Sequence, residues 1–140
     1  MSVFHEIRVR YAETDQMGVV YYANYLVWFE IGRVELMRAA GFAYSELETK
    51  YECIIPVIDA SCRYRASAHY DDEILIETWP SLLRESVIKF AYRIWRKEKE
   101  GEKRKLLAEG ETAHVICDRK MNRKALPVEV RTAFQALVEK

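Results

Sequence analysis

The stretch from Asn24 to Gly41 constrains this chain more than any other, because it reads as a helix with apolar residues around most of its circumference. Tyr25, Phe29, Gly32, Leu36 and Ala39 recur at steps of four and three and form one core-facing stripe, which Trp28 and Ala40 widen. Leu26, Ile31, Val34 and Met37 lie outside that stripe, among Glu30, Arg33, Glu35 and Arg38. Such a helix needs covering on more than one side. Asn24 is a candidate N-cap, with a start as early as Tyr22 also open, and Gly41 is placed to stop the helix. The rod would be roughly 26 to 28 Å long.

Most of the remaining chain has the two-residue period of strands. Val3, Ile7, Val9 and Tyr11 alternate with polar residues before the helix. A second short helix is expected over Phe42 to Tyr51, with Ser45 an alternative cap, before Pro56 marks extended chain. Val57 to Ala66 alternates cleanly, predicting one polar and one apolar face. A strand over Glu73 to Trp79 follows the Asp71-Asp72 turn, and Pro80-Ser81 is expected to interrupt it. Ile88, Phe90, Tyr92 and Ile94 supply the buried face of a longer strand. Lys97 to Lys105, with Gly101 at its centre, reads as a charged, solubilising hairpin tip. The last strand is expected over Leu106 to Cys117, and a terminal helix near Pro127. This order predicts an α+β arrangement in which a sheet covers the buried helix. The 140 residues, 50% of them apolar, fit one domain over residues 1–140, and no repeat or low-complexity linker is present. The apolar surplus on the helix predicts a symmetric dimer.

Charge and cysteine usage narrow the function classes. The 22 lysines and arginines balance 22 aspartates and glutamates, so there is no footprint for nucleic acid or an acidic membrane surface. Cys53, Cys62 and Cys117 are well separated and form no C-x-x-C pair, which argues against a disulfide framework or a zinc site. His5, His69 and His114 show no metal-ligand spacing, so no metal is expected. Neither a signal peptide nor an apolar stretch of membrane-spanning length is visible, and a cytoplasmic protein is the expectation. There is no G-x-S-x-G elbow, Walker loop or dinucleotide fingerprint.

Chemistry is concentrated in Tyr11-Ala12-Glu13-Thr14-Asp15-Gln16-Met17-Gly18-Val19-Val20-Tyr21-Tyr22-Ala23-Asn24-Tyr25. A carboxylate in a glycine turn directly before a helix start sits beside unpaired backbone N–H groups and a positive dipole end. By itself the pattern also fits an aspartate that merely closes a turn through its own backbone. This segment, followed by Trp28-Phe29-Glu30 and the helix to Gly41, resembles the hotdog-fold acyl-CoA thioesterases of the 4-hydroxybenzoyl-CoA thioesterase family. Within that family it resembles the bacterial branch associated with the Tol-Pal envelope system. Tyr70-Asp71-Asp72 and Ala125-Leu126-Pro127 fit the same pattern, so the match covers nearly the whole chain.

The resemblance implies a hotdog fold, with a five-stranded antiparallel sheet wrapped around one long helix. It implies homodimers joined sheet edge to sheet edge, often paired into homotetramers, with the active site at the dimer interface. It implies hydrolysis of an acyl-CoA to free acid and coenzyme A, with no cofactor beyond the coenzyme A of the substrate. Asp15 matches the catalytic aspartate, and Tyr22 matches the helix-start position whose backbone N–H polarises the thioester carbonyl. Where some members of the Tol-Pal branch carry a histidine, this chain has Tyr22, as other family members do, so any assistance from that imidazole is absent.

Asp15 can act as nucleophile, through a mixed anhydride, or as general base on water, and both remain open. Backbone N–H groups from Gly18 to Tyr22 are the candidate oxyanion donors. Glu30 is either a solvated helix charge or reaches the site. Arg84, Lys120, Arg123 and Lys124 are the candidate contacts for coenzyme A phosphates, weighed against ordinary solvated charges. Met37, Leu26 and Ile31 are candidate acyl-pocket lining or dimer packing. A non-catalytic module that binds acyl thioesters or an acyl carrier protein is the alternative, and an enoyl-thioester hydratase ranks third.

Overall fold

In the computed structural model, residues 2–99, 101 and 103–138 are described. The elements run β1 (Val3–Arg8), α1 (Asn24–Ala39), α2 (Tyr44–Thr49), β2 (Val57–Tyr64), β3 (Glu73–Arg84), β4 (Val87–Lys97), β5 (Arg104–Val115) and α3 (Val128–Val138). A 3₁₀ turn, Tyr11–Glu13, separates β1 from the loop before α1. The five strands form one antiparallel sheet in the order β1-β3-β4-β5-β2. The sheet curves around α1, which is the hotdog arrangement.

The sheet can wrap so closely because two glycines remove side chains at the contact. A Cβ on Gly32 would collide with Thr78 Oγ1 and Ile76 Cγ2, and one on Gly110 with the Ser61 carbonyl and the Phe29 ring. Phe29 therefore brings its ring edge against Gly110 and stacks on the Tyr92 ring, with centroids 4.2 Å apart. Trp28, Phe29, Leu36, Met37, Ile74, Ile76, Phe90 and Ile94 fill the core around it. Past the end of β5 the chain reaches α3, whose Val130 and Phe134 lie one turn apart on its buried side, with Phe134 edge-to-face on Phe90.

Several sequence expectations change. Asn24 does not cap α1: it is the first helical residue, and its side chain instead donates to the Glu13 carbonyl at 2.9 Å. Gly41 does end the helix, at φ +97°, with Gly41 N–H on Arg38 O and Phe42 N–H on Met37 O. Ala39 is exposed, whereas Arg33 and Met37 are buried, because the curved sheet covers a wider arc than a straight stripe. Ser45 lies inside α2, whose cap position is Ala43. Tyr11 belongs to the 3₁₀ turn and is not part of β1. Pro80-Ser81 does not end β3: the register shifts between Pro80 and Leu82, and pairing continues to Arg84. β5 starts earlier than expected and stops at Val115. β2 pairs only with β5 and is exposed along nearly its whole length, so its alternation has no apolar cover within this protomer. The charged tip expected over Lys97 to Lys105 includes Glu100 and Glu102, which lie outside the described residues.

Candidate active site

The segment before α1 folds back on itself. Asp15 N–H donates to Val19 O at 2.9 Å, Gly18 N–H to Asp15 O at 3.0 Å, and Tyr21 N–H to Glu13 O at 2.9 Å. Gly18 adopts φ +81°, a conformation that favours glycine. Asp15 Oδ1 accepts the Met17 N–H at 2.9 Å, the turn-closing role open to any aspartate here. Its other oxygen, Oδ2, accepts no hydrogen bond among the described residues, so one carboxylate oxygen is held and the other is free.

The backbone donors narrow to a few. Gly18 N–H is consumed within the turn, Val20 N–H by Ala68 O at 2.9 Å, and Tyr21 N–H by Glu13 O. Asn24, Tyr25 and Leu26 donate to the carbonyls of Tyr21, Tyr22 and Ala23. Among the described residues the N–H groups of Val19, in the turn, and of Tyr22 and Ala23, two consecutive donors at the mouth of α1, have no partner. Gly18 therefore shapes the turn and offers no donor of its own.

A residue without an assigned role in the sequence reading holds this geometry. Glu13 is only 5% exposed. Its Oε1 accepts Arg10 N–H at 2.8 Å and its Oε2 accepts Trp28 Nε1–H at 2.9 Å, while its own carbonyl accepts both Tyr21 N–H and Asn24 Nδ2. Side chain and backbone together pin the Asp15 turn to the first turns of α1. The available signal was a glutamate two positions before the aspartate, facing a helix that carries an indole N–H in need of an acceptor. Aromatic rings surround the turn: Tyr21 and Tyr22 at 4.9 Å, Tyr11 and Tyr70 edge-to-face at 5.7 Å, and Tyr64 edge-to-face on Tyr25 at 5.1 Å.

Asp15, Gly18 and Tyr22 are thus brought together, and the remaining sequence candidates are not. Glu30 is exposed on α1 and lines a surface depression of about 260 Å³ with Val27, Ile31, Val34 and Glu35. Leu26 is exposed, Ile31 half-buried and Met37 sealed in the core, so Met37 lines no open pocket in this protomer. Asp15 lies at the end of the sheet where β3 begins, since Val9 pairs its N–H with Asp72 O and Val20 with Ala68 O. Arg84 ends β3, about 36 Å of extended chain away. Lys120, Arg123 and Lys124 follow Val115, the residue that faces Val87 at that same far end. Lys124 Nζ donates to Tyr51 O at 3.0 Å and is engaged there. Lys120 and Arg123 are exposed, in a turn whose Asp118 Oδ1 accepts the N–H groups of Lys120 and Asn122. Within one protomer these cations cannot reach a ligand held at Asp15.

A second polar group lies under the middle of α1. Arg33, 8% exposed, donates to Tyr92 Oη at 3.3 Å; Tyr92 meets Thr112 Oγ1 at 2.6 Å, Thr112 meets His114 Nε2 at 2.8 Å, and His114 Nδ1 meets Ile55 O at 2.9 Å. A carbonyl only accepts, so Nδ1 carries the proton and Nε2 accepts, which orients every hydroxyl along the chain. Burial, with the Arg33 charge in support, holds His114 down to about 4, so it is neutral at pH 7.

Comparison with known proteins agrees with this architecture. The model of the thioesterase-like superfamily matches residues 9–136. YneP of Bacillus subtilis is 37% identical over 129 residues, 92% of this chain and 87% of that protein. The acyl-CoA thioesterase YbgC of Haemophilus influenzae is 33% identical over 133 residues, 94% of this chain and 93% of that protein. The crystal structure of a DHNA-CoA thioesterase from Staphylococcus aureus superimposes with a TM-score of 0.86 at 30% identity, covering 99% of this chain and 93% of that one. Sheet, helix and relatives converge on one assignment: the chain belongs to the thioesterase-like superfamily, as a hotdog-fold acyl-CoA thioesterase.

Proposed function

We propose that acyl-CoA hydrolysis takes place at the Asp15 turn, with Asp15 as the catalytic carboxylate and the N–H groups of Tyr22 and Ala23 as the oxyanion donors. The observation that carries this reading is the coexistence of one unengaged carboxylate oxygen and two consecutive unpaired N–H groups on a single braced loop. Donors fixed in advance stabilise charge that develops on the thioester oxygen without reorganising at the moment of reaction. Along one route Asp15 Oδ2 attacks the carbonyl carbon, the C–S bond breaks, coenzyme A leaves as thiolate, and water cleaves the mixed anhydride to regenerate the carboxylate. Along the other, Asp15 removes a proton from water as that water attacks. Both return free acid and coenzyme A, and no further cofactor is needed.

The working unit in this reading is a homodimer, or a homotetramer built from dimers. β2 is an edge strand with an unpaired outer ladder and exposed Val57 and Ile58, a surface that invites strand addition. Two-fold antiparallel pairing of β2 with β2 of a second copy places the start of one strand beside the end of the other. The start of β2 is tied to the far-end loop through the Ile54–Cys117 bridge, and its end, Tyr64, touches Tyr22. Lys120 and Arg123 of a second copy then approach the Asp15 turn, where they can meet coenzyme A phosphates. We place the protein in the cytoplasm, where acyl-CoA esters are formed; no helix among the described residues is long and apolar enough to cross a membrane.

The test is a panel of acetyl-, octanoyl- and benzoyl-CoA with free-thiol detection, on wild type and Asp15→Asn. Turnover by wild type that collapses in Asp15→Asn supports the assignment. Saturable binding without thiol release by wild type points instead to the binding module, and loss of enoyl absorbance without thiol release to the hydratase.

A further inference from the structure

We infer that Tyr64, the last residue of the edge strand β2, is a positioning residue for hydrolysis: its hydroxyl holds the Tyr22–Ala23 peptide so that the Ala23 N–H is aimed at the thioester carbonyl. This rests on the reading that the Tyr22 and Ala23 donors form the oxyanion site.

Tyr64 Oη donates to Tyr22 O at 2.9 Å, across 42 residues of sequence. The helix itself holds that carbonyl weakly, through Tyr25 N–H at 3.3 Å. In a planar trans peptide the C=O and the following N–H point in opposite directions, so fixing Tyr22 O toward β2 fixes Ala23 N–H away from β2. A hydrogen bond to the carbonyl also polarises the peptide and strengthens its N–H as a donor, by roughly 10–30%. Both effects act before substrate arrives, as oxyanion stabilisation requires.

The phenol is itself fixed. Its ring stands edge-to-face on Tyr25 at 5.1 Å and 88° and on Tyr22 at 6.3 Å and 87°. Tyr25 is buried, and its hydroxyl accepts Ala68 N–H at 3.2 Å, so the chain of contacts ends in the core. Partial burial, with Cys62 beside it, pushes the Tyr64 phenol above its ordinary range and keeps it a neutral donor. Within one protomer Tyr64 is 44% exposed at the sheet edge, outside the core.

Tyr64→Phe keeps the ring contacts and removes only the O–H. With the fastest substrate of the acetyl-, octanoyl- and benzoyl-CoA panel, we expect kcat to fall about tenfold, with KM within about twofold and Tm within about 2 °C of wild type. Bound to Asp15→Asn, the same acyl-CoA should show a thioester carbonyl stretch that moves back toward its free-solution frequency when Tyr64→Phe is added. A purely structural role would move neither readout at unchanged Tm. A kcat within twofold of wild type, a loss confined to KM, or an unmoved carbonyl stretch overturns the proposal. Undiminished turnover by Asp15→Asn alone would remove the oxyanion-site reading instead, so the two failures are distinguishable.

Discussion

At its first turn α1 meets Asp15, Tyr22 and Tyr64, and halfway along it meets Tyr92, Thr112 and His114 through Arg33. Both clusters are polar, both bridge helix and sheet, and both contain tyrosine. They differ in what is left over. Around His114 the Tyr92 and Thr112 hydroxyls and the ring N–H are each committed in one direction, while among the described residues Arg33 Nε and the neighbouring Thr78 Oγ1 lack partners. Around Asp15 a carboxylate oxygen and the backbone N–H groups of Val19, Tyr22 and Ala23 have no partner among the described residues. An unsatisfied polar group buried in a core costs on the order of 1–3 kcal/mol, a cost the His114 cluster carries at Arg33 Nε and Thr78 Oγ1, whereas the free groups of the Asp15 turn lie on a loop at the surface. The closed cluster reads as structure and the open one as chemistry.

The largest expected effect tests the open cluster. Asp15→Asn keeps an acceptor for Met17 N–H while removing the charge, and turnover should fall by about three orders of magnitude or more with Tm unchanged. Free-thiol release within tenfold of wild type would break the contrast at its functional end.

Acid should expose the closed cluster. His114 is held at about 4 in the folded chain against an ordinary 6.5, so the unfolded chain takes up its proton first as pH falls. Stability from this group is intact above about 6.5, declines as pH drops through the window, and has lost on the order of 3 kcal/mol below about 4. Urea unfolding across that range, on wild type and His114→Gln, should show a steeper acid dependence in wild type; equal slopes would count against a neutral buried imidazole.

Tyr92→Phe leaves Arg33 and Thr112 without their shared partner and should cost about 2 kcal/mol of unfolding free energy, with kcat within twofold. A large kcat loss at small stability cost would mean the two clusters are coupled. The smallest effect is expected at Gly18→Ala, where a Cβ meets nothing within 4 Å but the φ of +81° strains an L-residue by about 1 kcal/mol. Loosening of the Asp15 turn should lower kcat a few-fold while Tm falls by only about 2–4 °C. An unchanged kcat would show that the turn tolerates more freedom than its hydrogen bonds imply.

Much of the fold was legible because periodicity is local. Tyr25, Phe29, Gly32 and Leu36 announce the buried side of α1, and Ile88, Phe90, Tyr92 and Ile94 that of β4, from spacing alone. Pro80 misled because a proline is tolerated in a sheet beside a bulge, and the register shift between Pro80 and Leu82 appears only when β4 is alongside. Arg33 misled because a long charged side chain on a flank reads as solvated until a curved sheet arrives to cover it. At the site, Asp15 stood out as a carboxylate before a helix start and Tyr22 through the family resemblance, whereas Arg84, Lys120, Arg123 and Lys124, chosen as cations near strand ends and in the last loop, lie at the opposite end of the sheet.

The order of strands and helices, the buried helix and the aspartate turn before it were thus determined by the sequence itself, since each depends on residues within a few positions of one another. Which donors stay free was decided only in three dimensions. Tyr64 reaches Tyr22 across 42 residues and Trp28 reaches Glu13 across 15, and such pairings depend on how the sheet closes over the helix. A hydrogen bond is satisfied or left open by the geometry of both partners at once, and no local pattern contains the second partner.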